Sequence, residues 1–208
     1  MSPPGAPDLL PLETPRLRLR HFRDADVDAF FAYRNDPQVA RWQSWDGITR
    51  EAARDFARAF SMGGPAPPGT WFQIAVAERA TDALAGDCAL KLLADPPAAA
   101  EIGFTFARHF QGRGYAYEAV GRLISHLFDE FGLERVVAET DAENVRSCRL
   151  LERLGMRREG SSSAWFKGGI TEEYRYGLNR GEWRTTRGAS SLAGPPGPAP
   201  APGRPRLT

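Results

Sequence analysis

One run of elements constrains the fold of this 208-residue chain more than any other feature. A strand, a glycine loop, a helix and a second strand follow one another over residues 101–141. The loop and the start of the helix read HFQGRGYAYEAV, His109 to Val120. Apolar side chains then recur at helical spacing, and Gly132 stands where a helix ends. This order predicts a domain of the α+β class, in which helices and strands are mixed.

Further strand and helix candidates lie on both sides of this run. Alternating leucines and arginines predict a strand over Arg16–Phe22, and Asp24 and Thr49 are suitable caps for the two helices that follow. A helix from Asn144 to Gly155 and a strand pair over residues 157–178 come last. Three successive strand candidates predict an antiparallel meander: Trp71–Ala77, Leu84–Leu92 and Glu101–Ala107.

The two ends of the chain differ in composition from the rest. Proline, glycine, alanine and serine dominate the last part, which is nearly free of large apolar side chains, and the first residues look similar. Such segments cannot bury enough apolar surface to offset the entropy of ordering. We therefore expect a disordered segment over residues 1–12, one folded domain over 13–184 and a disordered tail over 185–208.

The charge balance and the cysteines argue against several classes of protein. The chain has 27 basic and 26 acidic residues, so no net field favours a nucleic acid or an anionic membrane as partner. Neither a signal peptide nor a run of about 20 apolar residues is visible, which predicts a cytoplasmic protein. Cys88 and Cys148 stand far apart with no histidine cluster beside them, so neither a disulfide framework nor a metal site is expected.

The glycine loop has the properties of an anion-binding site. Backbone N–H groups at a helix N-terminus have no partner within the helix, and the positive end of the helix dipole lies there. Gly112 and Gly114 can adopt a positive φ and carry no side chain that would hold a phosphate away, while Arg113 adds a charge. The alternative is an ordinary strand-to-helix turn without a ligand. A Walker loop is excluded because no G-x-x-x-x-G-K-S/T is present, and GRG lacks the third glycine of the dinucleotide fingerprint.

Two motifs resemble a known family. Gln111-Gly112-Arg113-Gly114-Tyr115-Ala116 resembles the Q/R-x-x-G-x-G/A pyrophosphate loop of the GNAT N-acetyltransferases, and GYAYEAV resembles its continuation in their ribosomal-protein branch, which is RimJ/RimL-like. NVRSCRLLERLGM, Asn144 to Met156, resembles the N-x-x-S-x-x-x-x-E-K-L-G-F signature of that branch. TPRLRLR and YRNDPQVARW resemble its N-terminal stretch. The resemblance extends from about Leu12 to Trp183, and the two motifs are specific in combination.

The resemblance implies the GNAT fold, a mixed central β-sheet whose central strands splay apart and whose two faces are flanked by helices. It implies acetyl-CoA as co-substrate and no metal, with the pantetheine arm lying between strands 101–107 and 135–141. Asn144 would hydrogen-bond that arm, the alternative being a helix N-cap that needs no ligand. The cofactor-binding residues that the resemblance implies are Phe106, Ala107, Gln111, Gly112, Arg113, Gly114, Tyr115, Ala116, Asn144 and Ser147.

Acetyl transfer to an amine requires a deprotonated amine, donors for the oxyanion and a proton for the leaving thiolate. The backbone N–H near Phe106 or Ala107 is the expected oxyanion donor. Glu101 matches the place where some family members carry a catalytic glutamate, and Glu139 on the partner strand is a second candidate base. Each glutamate is equally well explained as a surface or ion-paired carboxylate.

The chain departs from the wider family at the proton donor. Many members have a tyrosine seven residues after the asparagine, where this chain has Leu151. Ser147 is the candidate substitute, acting directly or through water. A base is unnecessary if water carries the proton of the amine.

In the family, the acceptor pocket is shaped by the first two helices and the final hairpin. The corresponding residues here are Trp42, Trp45 and Asp46, together with residues near Trp165 to Glu173. Aromatic walls and carboxylates suit a cationic amine or a peptide N-terminus. The alternative is that both tryptophans cover the core.

The expected function is therefore transfer of an acetyl group from acetyl-CoA to a primary amine by direct transfer in a ternary complex. The acceptor would be the N-terminal α-amine of a protein or peptide, or a small amine. One alternative is an aminoglycoside-type antibiotic acetyltransferase, which a strongly acidic pocket would favour. Another is a non-catalytic acetyl-CoA-binding module. A homodimer is compatible with the branch, although the sequence does not show one.

Overall fold

The computed structural model describes residues 9–65, 67–94 and 98–185. The strands are β1 Leu12–Glu13, β2 Leu17–Arg20, β3 Trp71–Glu78, β4 Leu84–Leu92, β5 Ala99–Phe106, β6 Arg135–Asp141, β7 Arg157–Phe166 and β8 Gly169–Asn179. They form one 8-stranded sheet in the order β1-β2-β3-β4-β5-β6-β8-β7. Neighbours are antiparallel except β5 and β6, which are parallel. The predicted antiparallel meander is confirmed as β3-β4-β5.

The helices begin and end where local chemistry favours it. They are α1 Val27–Arg34, α2 Pro37–Ala40, α3 Arg50–Ala59, α4 Tyr115–Asp129 and α5 Val145–Arg153. Asp36 caps α2 by accepting a hydrogen bond from the backbone N–H of Gln38, and the Thr49 hydroxyl caps α3 in the same way. Gly132, at φ 68°, follows the end of α4. None of these helices is long and apolar enough to cross a bilayer.

Helices cover both faces of the sheet. The Tyr33 hydroxyl of α1 donates a hydrogen bond to Asp87 of β4, so α1 lies on the face that Asp87 occupies. The Tyr176 hydroxyl of β8 donates to Glu152 of α5 at 3.3 Å. The registers from β4 through β5 and β6 to β8 place Asp87 and Tyr176 on opposite faces, because side chains alternate along each strand. The predicted fold class is confirmed: an α+β sheet with helices on both faces.

The parallel strands β5 and β6 separate along their length. They pair at Ala99↔Arg135, Ala100↔Val136 and Glu101↔Val137, and their register ends there. Beyond that point β5 stays paired with β4 as far as Phe106, and β6 stays paired with β8 as far as Asp141. The carboxyl ends of β5 and β6 therefore open a gap in the middle of the sheet.

The N-terminal boundary of the domain differs from the expectation. Leu9 and Leu12 fall in the segment over residues 1–12 that the sequence predicts to be disordered, but they are 4% and 3% exposed and belong to the core. The reason is that Leu12 pairs with Leu19 in β1 and β2, which buries its side chain against the sheet. Residues 180–185 are helical and bury Trp183, so the domain extends to residue 185. The remainder of the two expected disordered segments, residues 1–8 and 186–208, lies outside the described residues.

The first helix also begins later than Asp24, its predicted cap. Asp24–Asp26 form a 3-10 turn, and α1 starts at Val27. The buried carboxylate of Asp26 accepts hydrogen bonds from the Arg20 guanidinium at 2.7 and 2.9 Å and from the Arg23 N–H at 2.8 Å. These bonds hold the turn against β2, which delays the helix by one turn.

Candidate active site

The glycine loop leads from β5 into α4 and leaves its backbone N–H groups free. Gly112 has φ 76° and Gly114 has φ 79°, the left-handed region that favours glycine. The first hydrogen bond of the helix runs from the Glu118 N–H to the Gly114 carbonyl at 3.1 Å. Among the residues that the structure describes, the N–H groups of residues 112–117 have no acceptor. A series of unpaired amides at the positive end of a 15-residue helix is suited to an anion.

Gln111 does not belong to this series, because its own N–H donates to the Arg108 carbonyl at 3.2 Å. Its side chain instead braces the loop. Nε2 donates to the Phe106 carbonyl at 2.9 Å, and Oε1 accepts a hydrogen bond from Arg146 of α5 at 3.0 Å. Gln111 therefore connects the end of β5, the loop and the helix on the far side of the gap.

Arg16 holds the other side of the loop. Its guanidinium donates to the Arg113 carbonyl at 2.9 Å and to the Glu118 carboxylate at 2.7 Å. The Arg113 side chain is 53% exposed, with Glu78 at 3.9 Å as its ion-pair partner. At that distance the Arg113 guanidinium remains available to a phosphate.

The backbone of β5 presents N–H groups to the gap. The Ala107 N–H is bonded to the Ala85 carbonyl at 3.0 Å, so it is not available as an oxyanion donor. In an antiparallel ladder alternate residues point towards the partner strand and away from it. The register of β4 and β5 therefore turns the N–H groups of Ile102, Phe104 and Phe106 away from β4 and towards β6. Of the two expected oxyanion donors, Phe106 has the required direction.

A cavity of about 170 Å³ occupies the gap between β5 and β6. Residues of both strands line it, together with residues from α5, from the segment after α2 and from the β7-β8 hairpin. The lining residues are Trp42, Gln43, Ile102, Gly103, Phe104, Glu139, Thr140, Asp141, Asn144, Ser147, Leu151, Phe166 and Glu173. A larger depression of about 330 Å³ lies near α1 and α3, but its lining includes no strand residue, so it is separate from the gap.

Asn144 and Ser147 reach the cavity from the start of α5. The Asn144 side-chain oxygen caps this helix by accepting from the Ser147 N–H at 3.3 Å. The cap uses the oxygen only, and among the described residues nothing accepts a hydrogen bond from the amide NH₂ of this cavity-lining side chain. The two roles expected for Asn144 are therefore compatible. Leu151 stands where many members of the wider family have a tyrosine, and it is 1% exposed and forms an apolar part of the wall.

The two glutamates expected as bases have cationic partners. Glu101 lies 2.6 Å from Lys91 across the β4-β5 ladder and is not among the cavity residues. Glu139 lines the cavity, but the Arg175 guanidinium is 3.0 Å from its carboxylate. Each glutamate therefore has an ion-pair partner on the neighbouring strand.

Two further carboxylates line the same cavity. Asp141 accepts hydrogen bonds from the Thr171 hydroxyl at 2.6 Å and from the Glu143 N–H at 2.7 Å. Glu173 lies directly opposite Asp141 on β8. Burial, followed by the neighbouring charges of Glu139 and Asp141, raises the pKa of Glu173.

The aromatic wall is formed by one of the two expected tryptophans. Trp42 lines the cavity, whereas Trp45 stacks on Arg34, whose guanidinium carbon lies 3.5 Å from the ring centroid, and donates to the Arg34 carbonyl. Asp46 is 87% exposed and pairs with Lys167 at 2.5 Å. Lys167 also donates to the carbonyls of Ala40 at 2.9 Å and Trp45 at 2.7 Å. Trp45 and Asp46 thus support the segment after α2, and Lys167 ties that segment to the β7-β8 hairpin.

Sequence reasoning did not single out Arg16, Lys167 or Glu173. Arg16 and Lys167 act on segments 97 and 121 or more residues away, and no local pattern indicates such contacts. Glu173 falls inside the range assigned to the acceptor pocket, but residue type does not distinguish it from Glu172. Strand register distinguishes them, because it directs Glu173 towards the cavity. In the described part of the chain no cluster of His, Cys, Asp and Glu could hold a metal ion.

Comparison with known proteins gives a consistent result. A family model described as acetyltransferase (GNAT) domain matches residues 16–157. The uncharacterized N-acetyltransferase p20 of Bacillus licheniformis is 31% identical over 175 residues, which are 83% of this chain and 97% of that protein. A GNAT-family acetyltransferase from Bacillus anthracis has a TM-score of 0.73 at 26% identity, covering 83% of this chain and 99% of that one.

A more distant structural neighbour shares the fold. RimJ of Mycobacterium smegmatis, solved in complex with CoA-disulfide, has a TM-score of 0.69 at 20% identity, covering 88% of this chain and 93% of that one. The region matched by the family model contains the glycine loop, the whole of β5 and β6, and the whole of α5 with its cap Asn144. From this agreement of sequence and geometry we conclude that the chain belongs to the GNAT family of acetyltransferases.

Proposed function

We propose that this protein transfers the acetyl group of acetyl-CoA to a primary amine by direct transfer in a ternary complex. The observation that carries the proposal is the position of the free N–H groups of residues 112–117, at the open end of the gap between β5 and β6. An anion site and an unpaired strand edge stand side by side. A ligand with a diphosphate at one end and amide groups along its length would satisfy both.

The residues present fit acetyl-CoA. The N–H groups of residues 112–117 and the Arg113 guanidinium would hold the diphosphate, since Gly112 and Gly114 leave the backbone accessible. The N–H groups of β5 that face the gap, with the Asn144 amide, would bond the pantetheine arm. When bound, acetyl-CoA supplies the activated acyl group, a thioester.

The gap also offers the groups that acyl transfer requires. The Phe106 N–H points towards it and would stabilise the oxyanion as the amine attacks the carbonyl carbon. The Ser147 hydroxyl lines the cavity at the start of α5 and would pass a proton to the departing thiolate. No described tyrosine is among the cavity residues, which favours Ser147 for this step.

The acceptor is a cationic primary amine, either a peptide or protein N-terminus or a small amine. The charged residues among the described cavity lining are all acidic, Glu139, Asp141 and Glu173, and Trp42 adds an aromatic face. This charge also favours a second candidate, an aminoglycoside-type acceptor, whose several ammonium groups would meet several carboxylates.

The proposal is tested by following thiol release from acetyl-CoA against a panel of amines. The panel contains peptides beginning with Ala, Ser or Met, polyamines and aminoglycosides. We expect turnover with at least one class, and the class with the highest kcat/KM identifies the acceptor. Tight binding of CoA without thiol release from any amine would instead support a non-catalytic acetyl-CoA-binding module.

A further inference from the structure

Glu173 differs from the other carboxylates near the gap, because none of the described residues pairs with its carboxylate. It lies on β8, opposite Asp141 of β6, and lines the cavity with Ser147 and Trp42. No hydrogen-bond donor or cation among the described residues acts on its carboxylate. A half-buried carboxylate without a cation is unfavourable for stability, so a role in binding or catalysis would explain its presence.

The other carboxylates near the gap have partners. Glu101 is paired with Lys91 at 2.6 Å and Glu139 with Arg175 at 3.0 Å. Asp141 accepts hydrogen bonds from the Thr171 hydroxyl and the Glu143 N–H. A general base has to accept a proton during the reaction. If one of these carboxylates accepted it, its partner would lose the negatively charged group with which it pairs.

The charges that act on Glu173 are negative. Asp141 lies opposite it on β6, and Glu139 is on the same strand as Asp141. Arg175, on the same strand as Glu173, forms its ion pair with Glu139. The other residues that line the cavity near the hairpin and the segment after α2 are uncharged: Trp42, Gln43 and Phe166. Burial is the main cause, and the two neighbouring carboxylates the second, of the raised pKa of Glu173. A raised pKa makes a carboxylate a better proton acceptor.

We infer that Glu173 is the catalytic base that takes the proton from the ammonium group of the acceptor. The inference rests on the proposed function and deepens it, because it names the residue that activates the amine. It departs from the expectation that Glu101 or Glu139 has this role.

The proton and electron balance of the step is complete without a further reactant. Glu173 accepts one proton from the ammonium, and the nitrogen lone pair forms the C–N bond at the thioester carbonyl. The C–S bond breaks with its electron pair remaining on sulfur. The second proton of the attacking nitrogen reaches the thiolate, directly or through Ser147, and Glu173 returns its proton to solvent. The products are the amide, the free thiol of CoA and one proton.

The test is the pH dependence of kcat/KM in the wild type and in Glu173→Gln. We expect an acid limb in the wild type, because the rate falls as Glu173 is protonated. Glu173→Gln should lose this limb and about 100-fold or more in kcat/KM at neutral pH, while its dissociation constant for CoA is unchanged. Two acceptors, with an α-amine of pKa about 8 and an alkyl amine of pKa about 10, separate the enzyme's limb from that of the substrate. A limb that stays in place for both belongs to the enzyme.

Matched controls exclude a structural effect. Glu172→Gln removes the adjacent, exposed carboxylate of the same strand and should leave the profile unchanged. Glu173→Asp keeps a carboxylate and should keep the limb at a lower rate, and it serves if Glu173→Gln does not fold. Turnover and an acid limb that persist in Glu173→Gln would overturn this inference alone. Absence of turnover in the wild type with every amine would overturn the proposed function, and the inference with it.

Discussion

Arg16 and Glu118 are 102 residues apart in the chain, and their side chains form an ion pair with 2.6 Å between Nη2 and Oε2. Glu118 lies in the first turn of α4, and Arg16 also donates to the Arg113 carbonyl of the glycine loop. The N-terminal strand therefore fixes the conformation of the loop from outside the gap.

Replacement of Glu118 by Gln should lower the free energy of unfolding at pH 7 by about 1–3 kcal/mol, since hydrogen bonds to a charged group are lost. Burial alone would raise the pKa of Glu118, but bonds from the Thr14 hydroxyl, the Arg16 N–H and the Arg16 guanidinium outweigh it and lower the pKa. A lowered pKa contributes stability above about pH 4.3, its ordinary value, and that contribution is lost as the pH falls through the folded-state pKa. Urea unfolding at neutral and acidic pH measures the difference.

Glu13→Gln is the control for Glu118→Gln. The Glu13 side chain is 46% exposed and pairs with Arg18 at 3.0 Å, so its loss should cost less than about 1 kcal/mol. If the free energy of unfolding of the wild type exceeded that of Glu118→Gln by the same amount at pH 2 and at pH 7, the assignment of the ion pair would be contradicted.

A charge introduced at Gly112 should weaken CoA binding. No described heavy atom lies within 4 Å of a Cβ added there, and Asn and Asp both tolerate its positive φ. Gly112→Asn and Gly112→Asp therefore differ in charge and hardly in shape. We expect the dissociation constant of the Asp variant for CoA to exceed that of the Asn variant by at least about tenfold, with a smaller gap at high salt. Titration calorimetry at two salt concentrations measures both effects, and equal affinities would show that the diphosphate lies elsewhere.

Lys167→Met should raise the KM for the amine and leave the KM for acetyl-CoA unchanged. Lys167 joins the segment after α2 to the β7-β8 hairpin, and that segment carries Trp42 on the cavity wall. Its two bonds to backbone carbonyls are part of this contact, whereas the bond to Asp46 involves a side chain that is 87% exposed. Asp46→Asn should consequently have little effect on either KM. Steady-state kinetics of both variants measure the two KM values. An equal rise of the KM for the amine in Lys167→Met and Asp46→Asn would contradict the prediction.

Local chemistry made part of the architecture predictable. Gly112 and Gly114 before a strongly amphipathic helix indicated the loop and its free amides, because glycine, helix start and apolar spacing are all short-range signals. The strands Leu84–Leu92 and Arg135–Asp141 have the bounds expected from their apolar runs. The GNAT resemblance, which rests on two short motifs, is confirmed by the family model.

Other parts depend on distant contacts that spacing does not encode. Leu9 and Leu12 stand among prolines, yet they enter the core because β1 pairs with β2. The partners of Glu101 and Glu139 come from neighbouring strands, so their ion pairs follow from register and not from residue type. For the same reason residue type alone does not show that Glu173, and not Glu172, lines the cavity; the strand register shows it.

Amide hydrogen exchange tests the central claim most directly. The account predicts that the N–H groups of residues 112–117 exchange rapidly in the free protein, because they have no described acceptor, and slow markedly when CoA is bound. Pantetheine, which has the arm but lacks the diphosphate, should not slow the exchange of these N–H groups. Exchange rates at residues 112–117 that are already slow in the free protein, or that saturating CoA does not change, would contradict it.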